Sequence, residues 1–383
     1  VDVSGAGATV TIAGDSVAAI DLATLATAAV TISGSAGFTD VTTGTAASYT
    51  NSGTGAVTLG ATTVTAGLAA GATYAGGSGV DTVSFGASTK ASTLGAGNDF
   101  AYLTGAALGT DGSIDAGAGT GDTLGMTVAN AVTASSTDLF EGTISGFEKL
   151  TVGTSAAGTI NMANLDDIAD INISTAVGHA IVLSGLQDGN TTQVNVSAAA
   201  GSVTHTLASS TGSSDTLNLT ISGSAAVTGG THVMAATEIV NISALDADTT
   251  TSDAVHTLDL NATSATTVKV TGDAGLNVDN TGNVAITSFD ASEVTGTASN
   301  VTFASANVTA ASSDITKTAY GIAFAVNDNL SVSYGASESE KDGSTTDQEL
   351  SGISVGYSMG GISIKAHANE GENVANTANN ERA

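Results

Sequence analysis

Short bursts of alternating apolar and hydroxyl-bearing residues run through the first 70 residues of the chain. Segments Thr9–Ile12, Ala29–Ile32 and Ala56–Leu59 place apolar side chains at every second position, with Gly, Ser and Asp between the segments. A period of two indicates a strand with one buried face, and the intervening residues favour turns. Because strand starts recur roughly every 20 residues, the pattern predicts a β-solenoid.

The alternation continues through residues 129–313, where the strands are longer and glycines are fewer. Examples are Lys149–Val152, Ile168–Ile173, Thr216–Ile221 and Thr267–Val270. Two strands follow a glutamate, Glu148 in one case and Glu238 in the other, which we interpret as a repeated structural edge. The pattern alone fits a β-sandwich-like region as well as a solenoid.

Near residue 314 charged residues become more frequent and the alternation becomes strict. Tyr320, Ile322, Phe324 and Val326 alternate with Gly and Ala, and a turn at Asn327–Asn329 leads into a second such strand. This pattern predicts an antiparallel hairpin.

A second hairpin is predicted from Ile353–Tyr357 and Ile362–His367, with a tight turn around Met359–Gly361 and a long polar loop, Ser337–Asp347, before it. Strands with this two-residue repeat are typical of transmembrane β-barrels, although soluble hairpins share the pattern.

These patterns predict an all-β chain: a parallel β-roll or β-solenoid, a flanking sandwich-like or solenoid region, and C-terminal antiparallel hairpins. The predicted segments are a solenoid-like lead-in (1–70), a calcium-binding β-roll (71–128), a β-rich domain (129–313) and the hairpins (314–383).

The amino-acid composition limits which binding partners the chain can have. The 383 residues include 36 acids and 7 Lys or Arg, which gives a net charge of −29. Nucleic acid is excluded as a partner because its binding requires many basic side chains. Anionic membrane surfaces are disfavoured, and divalent cations are favoured. Pro and Cys are absent, which fits a chain paired in sheets without disulfides.

The most specific signal is a Gly-Asp repeat between residues 76 and 124. Gly76–Val83 matches G-G-x-G-x-D-x-U-x, a nonapeptide that winds a parallel β-roll around calcium. A second copy, Gly95–Ala101, places Asp99 18 residues after Asp81, which corresponds to two nonapeptides or one coil. A third, less regular copy is Gly117–Leu124.

Stacked aspartates at this spacing predict a calcium site, because calcium prefers hard carboxylate and carbonyl oxygens. Glycine allows left-handed turns, and the apolar residues Val83, Ala101 and Leu124 are expected to point inward. Asp215, in a segment without glycines at these positions, resembles a degraded copy. The predicted metal-site residues are Asp81, Asp99, Asp122, Gly76, Ser78, Gly95, Gly97, Gly117 and Gly119.

Catalytic motifs are weak. No H-E-x-x-H is present, and the five histidines are scattered. One G-x-S-x-G occurs at Gly352–Gly356, inside an alternating strand rather than at the strand-to-helix turn that a nucleophile elbow requires. We therefore predict that the chain is not an enzyme.

The repeats and strand pattern resemble those of RTX-type surface-layer proteins of Gram-negative bacteria, of the Caulobacter type. Similar segments are Gly76–Gly86 and the run from Asp215 to Ala306, including Val278–Asn283 and Thr287–Ser292. The resemblance implies a secreted, calcium-dependent structural protein that self-assembles as a lattice on the cell surface. Outer-membrane lipopolysaccharide is a further expected partner.

After about residue 311 the chain instead resembles alphaproteobacterial general porins, from Tyr320–Phe324 through Ile362–Ile364. Four such strands cannot close a barrel, since the smallest barrels have eight. The tail therefore belongs to a barrel completed elsewhere, to an ordinary sheet, or to a composite sequence. The alternative function is an outer-membrane porin or a barrel-linked surface protein or adhesin.

Overall fold

The computed structural model of the chain is almost entirely β, with 4% of residues helical. The residues it describes are 5–6, 9–14, 18–19, 25–26, 29–35, 37–40, 46–60, 67–154, 156–165, 168–198, 201–248, 254–280, 282–295, 300–305, 315–341, 347–359 and 362–373. About 11 parallel β-solenoid turns and a four-stranded antiparallel sheet account for the fold. The predicted all-β solenoid class is confirmed, and the chain forms two compact units, Val1–Thr211 and Gly212–Ala383.

The first unit contains short parallel strands, one α-helix and two 3-10 helices. The strands are β1 (Gly5–Ala6), β2 (Thr9–Ala13), β3 (Ala18–Ala19), β4 (Leu25–Ala26), β5 (Ala29–Ser33), β6 (Phe38–Asp40), β7 (Ser48–Asn51), β8 (Val57–Leu59), β9 (Thr73–Ala75), β10 (Thr82–Phe85), β11 (Ala91–Thr93), β12 (Phe100–Leu103), β13 (Ser113–Asp115), β14 (Thr123–Thr127), β15 (Ile144–Ser145), β16 (Lys149–Gly153), β17 (Gly158–Asn161), β18 (Asp170–Ile173), β19 (Ala180–Leu186), β20 (Thr191–Val194) and β21 (Ser202–Leu207). The helices are α1 (Val128–Ala134) and the 3-10 segments Glu141–Thr143 and Met162–Asn164.

Alternating strands of this unit stack into separate parallel sheets. One sheet has the order β20-β18-β16-β14-β12-β10-β8-β6-β3, and a second has the order β15-β13-β11-β9-β7-β5-β2. Thr82 pairs with Phe100, so the coil between β10 and β12 is 18 residues long, as the repeat spacing predicts. Val83, Ala101 and Leu124 pair in register and are 0% exposed, which confirms that they point inward.

Helix α1 is an element that the strand pattern did not predict. The Thr127 side chain accepts a hydrogen bond from the Asn130 N–H and so caps the first turn. Its buried side chains are Val128, Ala131 and Ala134. The helix lies between β14 and β15, close to where the second sheet ends and β17 begins a new sheet with β19 and β21. No helix in the described part of the chain is long and apolar enough to span a membrane.

The second unit begins with further parallel coils. Its parallel strands are β22 (Thr216–Gly223), β23 (Thr228–Val233), β24 (Ile239–Asp246), β25 (Val255–Asn261), β26 (Thr267–Gly272), β27 (Gly275–Asp279), β28 (Ser288–Val294) and β29 (Val301–Ser305). They form the orders β28-β26-β24-β22 and β23-β25-β27-β29. The sequence pattern of residues 129–313 fits either a β-sandwich or a solenoid, and the described strands of this region form a solenoid.

An antiparallel sheet completes the second unit. Its strands are β30 (Ile315–Asn327), β31 (Leu330–Lys341), β32 (Gln348–Met359) and β33 (Ile362–Glu372), paired in chain order. The two predicted hairpins are confirmed. The polar loop is shorter than predicted, because Ser337–Lys341 continue β31; residues 342–346 lie outside the described part, as do Gly360 and Gly361 of the second turn.

A candidate metal site in the stacked Gly-Asp turns

Three aspartates occupy equivalent positions in consecutive coils of the first unit. Asp81, Asp99 and Asp122 each immediately precede a strand, and the register of β10, β12 and β14 places them one above another. Their exposed fractions are 0%, 1% and 0%. Carboxylates this deeply buried require hydrogen bonds, a proton or a cation, because burial without a partner is costly.

The carboxylates form a ladder along the stack. The Asp81 N–H donates to Asp99 Oδ1 at 2.7 Å, and the Asp99 N–H donates to Asp122 Oδ1 at 2.6 Å. The Asp122 N–H in turn donates to Glu148 Oε2 at 2.8 Å. Each of these carboxylates thus accepts a hydrogen bond from the backbone of the preceding coil. Glu148 is the fourth carboxylate of the ladder.

Asp81 lies at one end of this ladder and is fully provided with donors. Its Oδ1 accepts from the Val57 N–H at 2.9 Å and from Asn51 Nδ2 at 3.2 Å. Its Oδ2 accepts from the Tyr74 hydroxyl at 2.7 Å. Tyr74 and Asn51 are themselves buried, so the charge of Asp81 is stabilised by protein donors alone.

Asp99 and Asp122 differ from Asp81 in their second oxygen. In each, Oδ1 accepts the ladder hydrogen bond, whereas Oδ2 is buried and has no hydrogen-bond partner among the described residues. An unpartnered anionic oxygen in a dry environment is costly. A cation or a proton at either of these two atoms would lower that cost.

Burial governs the ionisation of the ladder. It raises the pKa of Asp99 to about 6, and the neighbouring charges of Asp81 and Asp122 add to this effect. Burial also raises the pKa of Asp81, against the opposing hydrogen bond from Tyr74, and it raises the pKa of Asp122, with Glu148 and Asp115 contributing. The pKa of Tyr74 is raised, first by burial and then by the charge of Asp81.

Three predicted glycines use the left-handed conformations expected of them. The φ angles are +104° at Gly95, +137° at Gly97 and +96° at Gly117. An L side chain is strained at these angles. The Gly117 N–H also donates to Asp115 Oδ1 at 3.1 Å, and Gly95 O accepts from the Ala118 N–H at 2.8 Å.

Gly76 and Gly119 are required for a different reason, namely the close approach of neighbouring atoms. A Cβ on Gly76 would lie 1.6 Å from the carbonyl oxygen of Leu94. A Cβ on Gly119 would lie 2.2 Å from the Gly97 carbonyl oxygen and 2.5 Å from Asp122 Oδ2. Ser78 is exposed, and its N–H donates to Gly53 O at 3.3 Å.

Sequence reasoning missed the functional contributions of Asn51, Tyr74 and Glu148. Asn51 belongs to a coil without the motif, and Tyr74 lies on β9, just before the first copy of the motif begins at Gly76. In the sequence, Glu148 stands out only as an acid that precedes a strand. A signal for it exists, because Glu148 and Asp122 both stand immediately before strands that pair with each other.

The same acid pairing recurs in the second unit. The Asp215 N–H donates to Glu238 Oε2 at 3.1 Å, and Asp215 O accepts from the N–H groups of Glu238 and Ile239 at 3.0 Å each. Asp122 O accepts from Glu148 and Lys149 in the same way, at 3.1 and 2.9 Å. This confirms the interpretation of the two glutamates as a repeated structural edge.

The chemistry of the ladder fits a hard cation in part. Asp99 and Asp122 each offer a buried carboxylate oxygen without a hydrogen-bond partner among the described residues. The adjoining glycine turns bring backbone carbonyl oxygens close to the glycines of the neighbouring coils. Within the described residues, however, no three His, Asp or Glu side chains come together as a metal-binding group. Any ion would therefore rely on two carboxylates together with backbone carbonyls, which are normal ligands for calcium.

Comparison of the chain with models of known protein families and with curated proteins finds no match.

Proposed function

We propose that this chain is a calcium-dependent structural protein of the bacterial cell surface, a subunit of an S-layer or similar extracellular array. The observation that carries the proposal is the pair of buried Oδ2 atoms of Asp99 and Asp122, which have no hydrogen-bond partner in the described part of the chain. Their burial is stable only when the negative charge is balanced. Calcium is the cation that the Gly-Asp repeat favours, and it would supply that balance when bound.

The residues proposed to hold calcium are Asp99 and Asp122, with carbonyl oxygens of the adjoining glycine turns. Asp81 orients the stack and needs no metal, because Asn51, Tyr74 and Val57 donate to it. Since the carboxylates come together only in the folded coil, the free energy of calcium binding contributes directly to folding.

A role in an array agrees with the rest of the chain. A solenoid is a long, regular structural element, and the net charge of −29 makes close packing of copies dependent on cations. The proposed partners are further copies of the chain, calcium and outer-membrane lipopolysaccharide. The proposed location is the outside of a Gram-negative cell, and no catalytic role is proposed.

The test is a calcium titration of the full chain against chelator, followed by circular dichroism and by particle size. We expect calcium to raise the melting temperature and to drive growth of particles, and magnesium at equal concentration to do much less. Asp99→Asn should weaken the calcium response, whereas Asp138→Asn, at an exposed acid outside the ladder, should not. If removal of calcium changes neither folding nor particle size, the proposal fails.

A second candidate is an outer-membrane barrel-linked protein or porin, with the solenoid as a passenger. The observation that favours it is the exposed apolar side of the antiparallel sheet, where Ile322 and Phe324 are 69% and 66% exposed. Detergent dependence separates the two functions. An array subunit should be soluble without detergent once calcium is removed, and a barrel component should not.

A further inference from the structure

The four antiparallel strands present two chemically different faces. Strand register places large apolar side chains of all four strands on the same side, which we call the apolar face. Its cross-strand rows are Ile322–Tyr334–Ile353, Phe324–Val332–Val355 and Leu330–Tyr357–Ile364. The opposite face carries mostly Ala, Gly and Ser.

Many large side chains of the apolar face are exposed, while Val332, Val355 and Leu330 are half-buried. Tyr320 is 63% exposed, Ile364 60% and Ile353 48%. A contiguous apolar patch of this kind indicates an interaction surface. Exposure alone does not say what covers it.

The far end of the same face is acidic. Glu338 pairs directly with Glu349, and Glu349 pairs directly with Glu372, so three glutamates form one row across β31, β32 and β33. Glu370 lies in the next row, opposite Ser351. All four side chains are exposed.

Like charges directly opposite each other destabilise a sheet. The structure records no ion pair for these four glutamates; the one salt bridge among the described residues is Lys269–Glu293. A cationic partner over this row would remove the repulsion.

The charge pattern selects among possible occupants. A second copy of the chain carries the same net charge of −29 and offers few bases to the row. A surface of anionic lipids is repelled for the same reason. We propose that the apolar face binds an amphipathic helix of a partner protein, with apolar residues along the strands and Lys or Arg at the end that meets Glu338, Glu349 and Glu372.

The dimensions suit such a partner. Neighbouring strands are about 4.8 Å apart, so the outer strands of the four lie about 14 Å apart, which is wide enough to seat one helix with its side chains, about 10–12 Å across. Covering one face of a sheet with a helix is a common way to bury it. This inference does not depend on calcium binding and goes beyond the proposed function.

The experiment measures binding of a fluorescent synthetic helical peptide to the full chain by anisotropy. The peptide carries a leucine stripe and a lysine cluster at one end, and the control peptide has Glu in place of each Lys. We expect the lysine peptide to bind at least about tenfold more tightly, and salt to weaken it. Equal binding of the two peptides would overturn the proposal.

Substitutions on the apolar face test whether the peptide binds there. The combination Glu338→Gln, Glu349→Gln and Glu372→Gln should weaken the lysine peptide about tenfold, and Phe324→Ser should weaken both peptides. The matched control neutralises three exposed acids elsewhere, with Asp111→Asn, Asp138→Asn and Asp188→Asn, and should leave binding unchanged. Because the Gln variants lie at exposed positions, they test the site even where Phe324→Ser fails to fold.

Two further measurements can contradict the proposal. Uptake of the chain into phosphatidylcholine vesicles that Phe324→Ser abolishes would identify hydrocarbon as the occupant. Concentration-dependent dimers in sedimentation that Phe324→Ser dissolves would identify a second copy. Absence of both, together with the lysine dependence, supports the basic helix.

Discussion

The backbone N–H of Asp99 donates a 2.6 Å hydrogen bond to Oδ1 of Asp122, 23 residues later in the chain. The bond joins one coil to the next at a buried position. It leaves the other oxygen of Asp122 without a partner among the described residues. One carboxylate therefore serves the fold through one atom and is available for a ligand through the other.

Asp99→Asn should separate these two roles. The amide oxygen can still accept the hydrogen bond from the Asp81 N–H, but the buried charge is removed. We expect the variant to be at least as stable as the native chain in chelator and to lose much of the stabilisation by calcium. Thermal melts with and without calcium measure both effects. Full calcium stabilisation in the variant would contradict the assignment of Asp99 as a ligand.

The metal-free chain should become less stable as pH rises from about 4 to 7. The pKa of Asp99 is raised from 3.8 to about 6 in the fold, so in this window the folded state binds more protons than the unfolded state. Its contribution is fully present below pH 3.8 and is lost as pH rises through 6. The size is about 1–3 kcal/mol. Denaturant titrations in chelator at several pH values should show this slope, and Asp99→Asn should flatten it.

His232 should act in the opposite direction in the second unit. Complete burial lowers its pKa from 6.5 to about 4, so the folded state binds fewer protons than the unfolded state between these values. Stability is present above pH 6.5 and is lost as pH falls through 4, by about 3 kcal/mol. Hydrogen exchange of β23 at pH 7 and pH 4.5 measures it. Equal protection at both values would show that protonation of His232 is not coupled to opening.

Tyr74→Phe should destabilise the first unit by about 1–3 kcal/mol, because the buried Oδ2 of Asp81 loses its short hydrogen bond from Tyr74 and keeps only the longer one, 3.4 Å, from Asn51 Nδ2. Tyr102→Phe is the control, since the structure records no hydrogen bond for that hydroxyl among the described residues. Chemical denaturation of both variants gives the difference. A loss no larger than that of Tyr102→Phe would mean that Asn51 and Val57 alone satisfy Asp81.

Gly119→Ala should destabilise the metal-free chain by at least about 1–3 kcal/mol, because the new methyl group would meet the Gly97 carbonyl and Asp122 Oδ2. Gly142→Ala is matched to it, since nothing lies within 4 Å of a Cβ there. The control should change stability by less than about 0.5 kcal/mol. Similar melting temperatures for the two variants would show that the Gly119 turn can relax.

Much of the solenoid could be predicted because the features that define it lie within single sequence repeats. The 18-residue step from Asp81 to Asp99 and the inward side chains Val83 and Ala101 follow directly from the repeat. Asn51 could not be found in this way, since it reaches Asp81 across 30 residues and belongs to a coil without the motif. Only the stacking of coils reveals that contact.

The ends of elements were harder to predict than their type. The polar residues Ser337–Lys341 favour a loop by sequence, yet they continue β31, because polar residues are tolerated on both faces of a sheet that is exposed on either side. Helix α1 was missed because its seven residues, mostly Ala and Val, give too short a pattern to distinguish from a strand.

The ladder also determines how the first unit would come apart. Each hydrogen bond of the ladder joins a coil only to its immediate neighbour. The stability of the stack is therefore approximately a sum of terms for single coils and for contacts between neighbouring coils. A coil that opens at Asp99 removes support from the coils on either side, and unfolding would advance as a moving boundary from that point. Proteolysis in chelator should therefore first cut near residues 76–124 and later at coils farther from them.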